Sequence, residues 1–262
     1  MSNFQYMRAS ALDEAAAKVK GAEDGAVLAG GMTLLPSIKL GLSSPSDLVD
    51  LGGIGDLAGI TSAGGSVTIG AMTCHADVAN SGDVPPALAA MASGIGDRQV
   101  RNRGTIGGSI ANNDPAADYP AACLALGATI NTDQRSIAAD DFFTGLFETA
   151  LNDGEIITSV SFPTPDKAAY QKFTSPASRF ALVGVFVAAG SDGVRVAVTG
   201  CGQGGVYRDA DLESALAASF SADALADKSV SSDNLLSDIH AAADYRAHLI
   251  VEMTKRAVAA CG

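Results

Sequence analysis

The segment RQVRNRGTIGGSIANNDPAADYP occupies residues 98–120. It places three arginines, Arg98, Arg101 and Arg103, ahead of an adjacent glycine pair, Gly107–Gly108, and closes on an Asn-Asn-Asp-Pro turn. The part GTIGGSIAN reads as β-like, and the turn at 112–115 leads into a helix over 116–128. A second apolar run broken by a glycine pair lies upstream, GAVLAGGMTLLP at 25–36. There a short strand ends at Gly30–Gly31 and a short helical or turn segment follows. A glycine pair at a strand end lets backbone N–H groups come close to an anion with no Cβ in the way. Thr33, Thr105 and Ser109 flank the pairs and add hydroxyl donors. Either pair alone reads as a bulge or tight turn. Two of the same design point to one shared ligand, a pyrophosphate cradled from two sides without a lysine.

The remaining pattern is α+β. Residues 10–20 read as a helix with Ser10 as N-cap and Asp13 and Glu14 in its first turn. Strands are expected over 47–53, 66–72, 129–133 and 155–163, with a helix over 84–95. The stretch FPTPDKAA (162–169) carries two prolines and sets a domain boundary, giving units 1–165 and 166–262. Beyond it, YQKF, FALVGVFVAAG and GVRVAVTG read as three consecutive antiparallel strands. Two helices then back that small sheet, the second long enough to include His240 and His248.

Composition narrows the function. A length of 262 residues with 47% hydrophobic content fits two domains of moderate size. The net charge of −12 argues against nucleic acid, which requires a basic footprint. No apolar run is long enough to span a membrane, and MSNFQYMRAS lacks the pattern of a signal peptide, so a cytoplasmic protein is expected. Cys74, Cys123, Cys201 and Cys261 are scattered without a CxxC, which leaves no basis for a metal or cluster on this chain. GCGQGG (200–205) matches the dinucleotide-binding glycine pattern. The next helix starts only near Asp209, and no second strand ends in an acidic residue, so it reads as a glycine-rich connection.

LAGGMTLLPSIKLGLSSPSDLVDLGGI resembles the first flavin-binding segment of the medium subunits of molybdenum hydroxylases, the carbon monoxide dehydrogenase and xanthine dehydrogenase FAD-domain family. VRNRGTIGGSIANNDPAADYPAACLALGA is similar to that family's second segment, T-x-G-G-[SN]; IGAMTCHADV and YQKF also resemble family positions. The resemblance covers most of the chain. It implies a two-subdomain FAD-binding domain of the vanillyl-alcohol-oxidase-like (PCMH) type, followed by a small α+β domain. It further implies noncovalent FAD, held at its pyrophosphate by Ala29, Gly30, Gly31, Met32, Thr33 and Leu34 and by Thr105, Gly107, Gly108 and Ser109. Asp118 matches an acidic position contacting the ribityl or adenosine portion. Ile157 and Lys172 match positions near the cofactor, and Ala71 and Thr73 lie in a segment lining the site. Read alone, Asp118 could cap a helix and Lys172 could be a solvated strand charge. The three arginines read as structural or interface pairs, and no covalent flavin tether is expected at His75.

The family's division of labour sets the functional expectation. A large partner subunit carries the molybdopterin cofactor, a small one carries two [2Fe–2S] clusters, and this chain carries FAD, in a dimer of heterotrimers. Electrons pass from the clusters to FAD and on to an external acceptor. The rival readings are a stand-alone flavoenzyme resembling enolpyruvyl sugar reductase, and a non-catalytic assembly subunit.

Overall fold

The computed structural model describes residues 4–261. The chain opens with β1 (Gln5–Arg8), α1 (Leu12–Gly21), β2 (Gly25–Leu28), α2 (Leu34–Lys39) and β3 (Asp47–Asp50). The three strands form a parallel sheet in the order β1-β3-β2. α1 carries Asp13 and Glu14 in its first turn and Lys18 and Lys20 in its last, matching the helix dipole at both ends. It buries Ala15 and Val19, one turn apart, against the sheet. The N-cap is Ala11 rather than Ser10; the Glu14 carboxylate instead accepts from both the backbone N–H and the hydroxyl of Ser10, each at 2.9 Å.

A second layer follows, with β4 (Ile60–Ala63), β5 (Ser66–Gly70), α3 (His75–Asn80), α4 (Pro86–Ser93), α5 (Arg98–Arg101), α6 (Ile106–Asn112) and α7 (Tyr119–Leu126). After these come β6 (Thr129–Thr132), β7 (Ser136–Ala138), α8 (Ala139–Phe142), β8 (Phe143–Gly145), β9 (Glu148–Thr149) and β10 (Ile157–Pro163). An antiparallel sheet in the order β4-β5-β10-β6-β7 organises this layer. GTIGGSIAN, expected as β-like, is helical from Ile106 onward. Its glycines and β-branched residues are poor helix formers, and tertiary contacts override them. The Thr105 hydroxyl caps the Gly108 N–H at 3.2 Å, while Ile106 and Ile110, one turn apart, are both fully buried. Asn113 ends the helix in the left-handed region with φ 42°.

The last layer contains β11 (Lys167–Thr174), β12 (Ala181–Gly190), β13 (Gly193–Thr199), β14 (Tyr207–Arg208), α9 (Ala210–Ala218) and α10 (Ala243–Ala260). The expected three-stranded meander is present and gains the two-residue β14 at its edge, in the order β11-β12-β13-β14. GCGQGG joins β13 to β14, and the helix after it starts at Ala210 with Asp209 as N-cap. α10 begins at Ala243, so His240 lies ahead of it and only His248 lies within it.

β12 explains how this sheet sits. Its run ALVGVFVA is buried on both faces, as its unbroken hydrophobicity requires. Val183, Val185 and Val187 pack with α9 and α10; Phe186 and Ala188, on the opposite face, join the core built around α7 and the five-stranded sheet. All eight residues of α7 are buried, so this helix is the filling between two sheets. No helix among the described residues is long and apolar enough to cross a membrane.

One buried cation closes the last layer. Arg246 of α10 is 2% exposed and donates to the carbonyls of Leu182 (2.7 Å) and Gly200 (3.0 Å) and to the Asp238 carboxylate (2.7 Å). Arg246→Met should cost about 2–4 kcal/mol, since it strands two buried acceptors. A lower urea midpoint at unchanged slope is the expected result.

Candidate functional site

The two glycine pairs meet in space. Residues 71–75 run antiparallel to 104–107: Ile106 N–H donates to Thr73 O (3.1 Å), Gly107 N–H to Ala71 O (2.9 Å) and His75 N–H to Gly104 O (2.9 Å). This pairing holds the second loop on the five-stranded layer. The first loop, leaving β2, lies directly on it. A Cβ on Gly30 would stand 2.1 Å from the Arg103 carbonyl oxygen and 2.8 Å from Gly104 Cα. A Cβ on Gly107 would stand 2.6 Å from Ala71 Cβ. Both positions therefore require glycine for close backbone approach, and Gly31 requires it for its φ of +71°. Gly108 is less crowded, at 3.0 Å from the Thr105 hydroxyl and 3.6 Å from Ala29 Cβ.

Between the parallel-sheet unit and the five-stranded layer lies a cavity of about 380 Å³. Ala29, Gly30, Gly31, Met32, Thr33 and Leu34 line one side; Thr105, Gly107, Gly108, Ser109, Ala71, Asp118 and Ile157 line the other. Two sequence-expected positions lie outside its wall. Thr73 is buried with its hydroxyl committed to Gly59, donating to the carbonyl (3.1 Å) and accepting from the N–H (3.0 Å). Lys172 reaches the site only through Asp118.

Backbone donors divide unevenly between the loops. Among the described residues, the N–H groups of Gly30, Gly31, Met32 and Thr33 make no hydrogen bond within the chain. Those of Ile106, Gly107, Gly108 and Ser109 are spent on Thr73, Ala71 and Thr105. The first loop thus offers the donor set that an anion needs. The second supplies shape and the Ser109 side chain.

Among the described residues, no lysine or arginine lines the cavity. Arg101 serves structure, donating to the Ile95 carbonyl at 2.9 Å. Two of the three acids in the wall are neutralised from behind. Glu155 accepts from Arg135 (3.0 Å), Thr132 (2.7 Å) and the Asn152 N–H (2.8 Å). These contacts, Arg135 foremost, hold its carboxyl down to about 2. Asp118 is buried against Lys172 (3.1 Å) and Tyr170. Burial pushes its carboxyl up, while Lys172 and Tyr170 pull against that shift. The third, Asp114, is raised by burial and bonds the Ala116 N–H.

The wall also contains residues that pattern alone did not assign to it: His75, Asn112, Asp114, Glu155 and Phe180. Asp114 belongs to the Asn-Asn-Asp-Pro turn, which was a usable signal. Phe180 arrives from the last layer, where nothing local marks it.

Residues 2–165 match the family model described as the FAD binding domain in molybdopterin dehydrogenase. The chain is 34% identical to the nicotine 6-hydroxylase medium subunit of Paenarthrobacter nicotinovorans, over 99% of this chain and 97% of that protein. It is 37% identical to the glyceraldehyde dehydrogenase medium chain of Sulfolobus acidocaldarius, over 78% and 76% respectively. Among solved structures, a reconstituted CO dehydrogenase from Oligotropha carboxidovorans superposes with a TM-score of 0.90 at 30% identity, covering 99% of this chain and 98% of that one.

Two wall residues make the chain acid-sensitive. Burial holds the His75 imidazole down to about 4 from 6.5, so protonation favours the unfolded chain as pH falls between those values. Glu155 is depressed from 4.5 to about 2, so its stabilisation is complete above pH 4.5 and lost on descent to 2. Thermal midpoints should fall in two overlapping steps across pH 6.5–2. Glu155→Gln should lose about 1–3 kcal/mol at neutral pH and flatten the lower step.

Proposed function

The chain belongs to the family of FAD-binding domains of molybdopterin dehydrogenases, and we propose that its task there is electron transfer between partner iron–sulfur clusters and an external acceptor. It is an oxidoreductase subunit whose cofactor is FAD. The observation that carries the functional reading is the meeting of the two glycine loops around one cavity, with four uncommitted N–H groups on the first.

The residues present fit the cofactor. Gly30 and Gly107 bring three backbone segments into contact, an approach that any side chain there would block. The loop 29–34 supplies neutral donors for a pyrophosphate, and Thr105 and Ser109 face it across the cavity. Ala71, Ile157 and the neighbouring apolar wall would shield the flavin from water, and Asp118 would accept from cofactor hydroxyls. Lys172 acts through Asp118 as the counter-charge that favours the ionised form of this carboxyl and holds it in place, and Thr73 fixes the turn beneath Ala71. Bound FAD supplies the redox chemistry and the protein supplies orientation and electrostatics.

The partners proposed are a molybdenum-cofactor large subunit and a [2Fe–2S] small subunit, assembled as a dimer of heterotrimers. The names of the relatives, medium subunit and medium chain, support such a division. We place the boundary between the FAD-binding and C-terminal domains at 165/166, between β10 and β11. The four free thiols, Cys74, Cys123, Cys201 and Cys261, support work in the reducing cytoplasm.

The test is FAD titration of the purified full chain, followed by fluorescence quenching and thermal shift. Saturable binding with a raised melting temperature is expected. Gly108→Val narrows the cavity toward Ala29 and should weaken binding at least about tenfold with the apo fold retained. Gly107→Val should destabilise the apo chain itself by about 1–3 kcal/mol, since its Cβ meets Ala71. A wild-type chain that neither quenches FAD nor gains stability overturns the reading. Equal FAD affinity in Gly108→Val overturns the loop assignment alone.

A further inference from the structure

The cavity reaches the surface where its wall is least covered. Met32 of the first loop and Phe180 of the last layer both line it, yet they are 38% and 47% exposed. Leu35, three residues beyond Met32, is exposed to the same degree as Met32. Four arginines gather around these apolar side chains. Arg103 adjoins the first loop, since its carbonyl oxygen is the atom that a Cβ on Gly30 would meet. Arg179 directly precedes Phe180. Arg98 and Arg101 lie on α5, whose Val100 lines the cavity. Asp97 connects the two groups. It caps α5 by accepting from the Val100 N–H (2.9 Å), and that bond, followed by the charges of Arg179 and Arg101, holds its carboxyl below the ordinary range.

In a chain with 29 acidic and 17 basic residues, an arginine meets a carboxylate readily. Arg135, Arg195, Arg208 and Arg246 all form ion pairs. Among the described residues, none of the four arginines at the opening does. Arg101 is spent on the Ile95 carbonyl (2.9 Å), while Arg98, Arg103 and Arg179 are exposed. Arg179 also has a φ of +65°, in the left-handed region that disfavours a side chain of its size. Ser175 holds that turn: its N–H donates to the Phe180 carbonyl (2.8 Å), and its carbonyl accepts from the Arg179 N–H (2.9 Å). Glycine would adopt this conformation without strain, yet the position carries a cation.

We propose that this opening is the docking surface for the iron–sulfur small subunit, which meets it with an acidic face. The inference rests on the electron-transfer reading above, because a partner that delivers electrons to a cofactor in this cavity has to approach where the cavity opens. Charge complementarity sets the chemistry of the partner's face. A chain of net charge −12 repels acidic proteins as a whole, and unpaired cations at one rim give it a single place to attract one. Arginine suits the task better than lysine, since its planar fork binds a carboxylate through two parallel hydrogen bonds. Met32, Leu35 and Phe180 supply an apolar centre, and methionine, aromatic residues and arginine are the types enriched at protein interfaces.

The experiment uses the complete complex, purified with its partner subunits. Amide exchange over 98–103 and 176–181 should slow by at least about tenfold in the complex relative to the free full chain. Combined Arg98→Glu, Arg103→Glu and Arg179→Glu should weaken association with the partners by about tenfold or more at low salt. The deficit should shrink as salt screens the charges, and the free chain should keep its melting temperature and FAD affinity. Arg179→Gly, which retains the left-handed turn, should fold as wild type and still associate more weakly. Arg103→Lys places an amine at the rim for zero-length carbodiimide coupling to a partner carboxylate, and mass spectrometry should find it joined to the iron–sulfur subunit. Coupling to the large subunit or to a second copy of this chain would overturn the proposal. So would wild-type association in the triple variant or unchanged exchange at the rim, and the exchange measurement decides should the triple variant fail to fold. A wild-type chain that associates with no iron–sulfur subunit would remove the electron-transfer reading and this inference with it.

Discussion

The backbone contact between Gly30 and residues 103–104 is the constraint around which the site is built. No side chain fits between these segments, so the loop leaving β2 and the loop entering α6 lie at van der Waals distance. Everything that lines the cavity follows from this approach. It sets the parallel-sheet unit against the five-stranded layer and leaves the space between them enclosed by backbone. It also presses Gly104 onto the His75 ring. Glycine here is a packing requirement first. Its effect on ligand binding comes through the geometry that packing imposes.

A second set of contacts ties this site to the last layer. The segment 114–118 is held by Thr199, whose hydroxyl donates to the carbonyls of Pro115 (3.1 Å) and Ala117 (2.7 Å), and by the Gly200 N–H on Pro115 (2.8 Å). Next to it Tyr170 and Lys172, both on β11, clamp Asp118, and Lys172 also donates to the Gly94 carbonyl (3.0 Å). A carboxylate buried to 5% exposure requires such partners, because an isolated charge there would be desolvated without compensation. The C-terminal sheet is therefore part of the site's electrostatics although it contributes little of the wall. α7, which begins at the residue after Asp118, is wholly buried between the two sheets.

Much of this was legible in the sequence. The two glycine pairs marked the segments that meet, the runs YQKF, FALVGVFVAAG and GVRVAVTG marked β11, β12 and β13, and the short Asn-Asn-Asp-Pro turn marked the end of α6. Local reasoning failed where tertiary contacts outweigh propensity. Ile106–Asn112 is rich in glycine and β-branched residues and is nevertheless a helix, because Ile106 and Ile110 bury on one face and Thr105 caps it. Ile60–Ala63, in a glycine-rich stretch that no strand was expected to cover, is an edge strand fixed by pairing with β5. β14 is two residues long, too short for any periodicity. Within the site, Lys172 and Thr73 were associated with the ligand by resemblance. The structure places Lys172 behind Asp118 and commits the Thr73 hydroxyl to Gly59, contacts that no linear pattern contains. His75 was weighed only as a covalent attachment point, since its burial against Gly104 is visible only once the surrounding packing is known.

The charge distribution joins these strands of argument. A chain with net charge −12 is a poor host for a dianionic pyrophosphate unless the anion meets local positive potential. Here that potential comes from peptide dipoles, since no cationic side chain among the described residues lines the cavity. Asp118 and Glu155, the paired acids of the wall, carry their counter-charges on the far side: Lys172 is held to 8% side-chain exposure behind Asp118, and Arg135 approaches Glu155 from solvent. The positive potential of the site is thus built into the backbone of the first loop, while burial holds the His75 imidazole neutral.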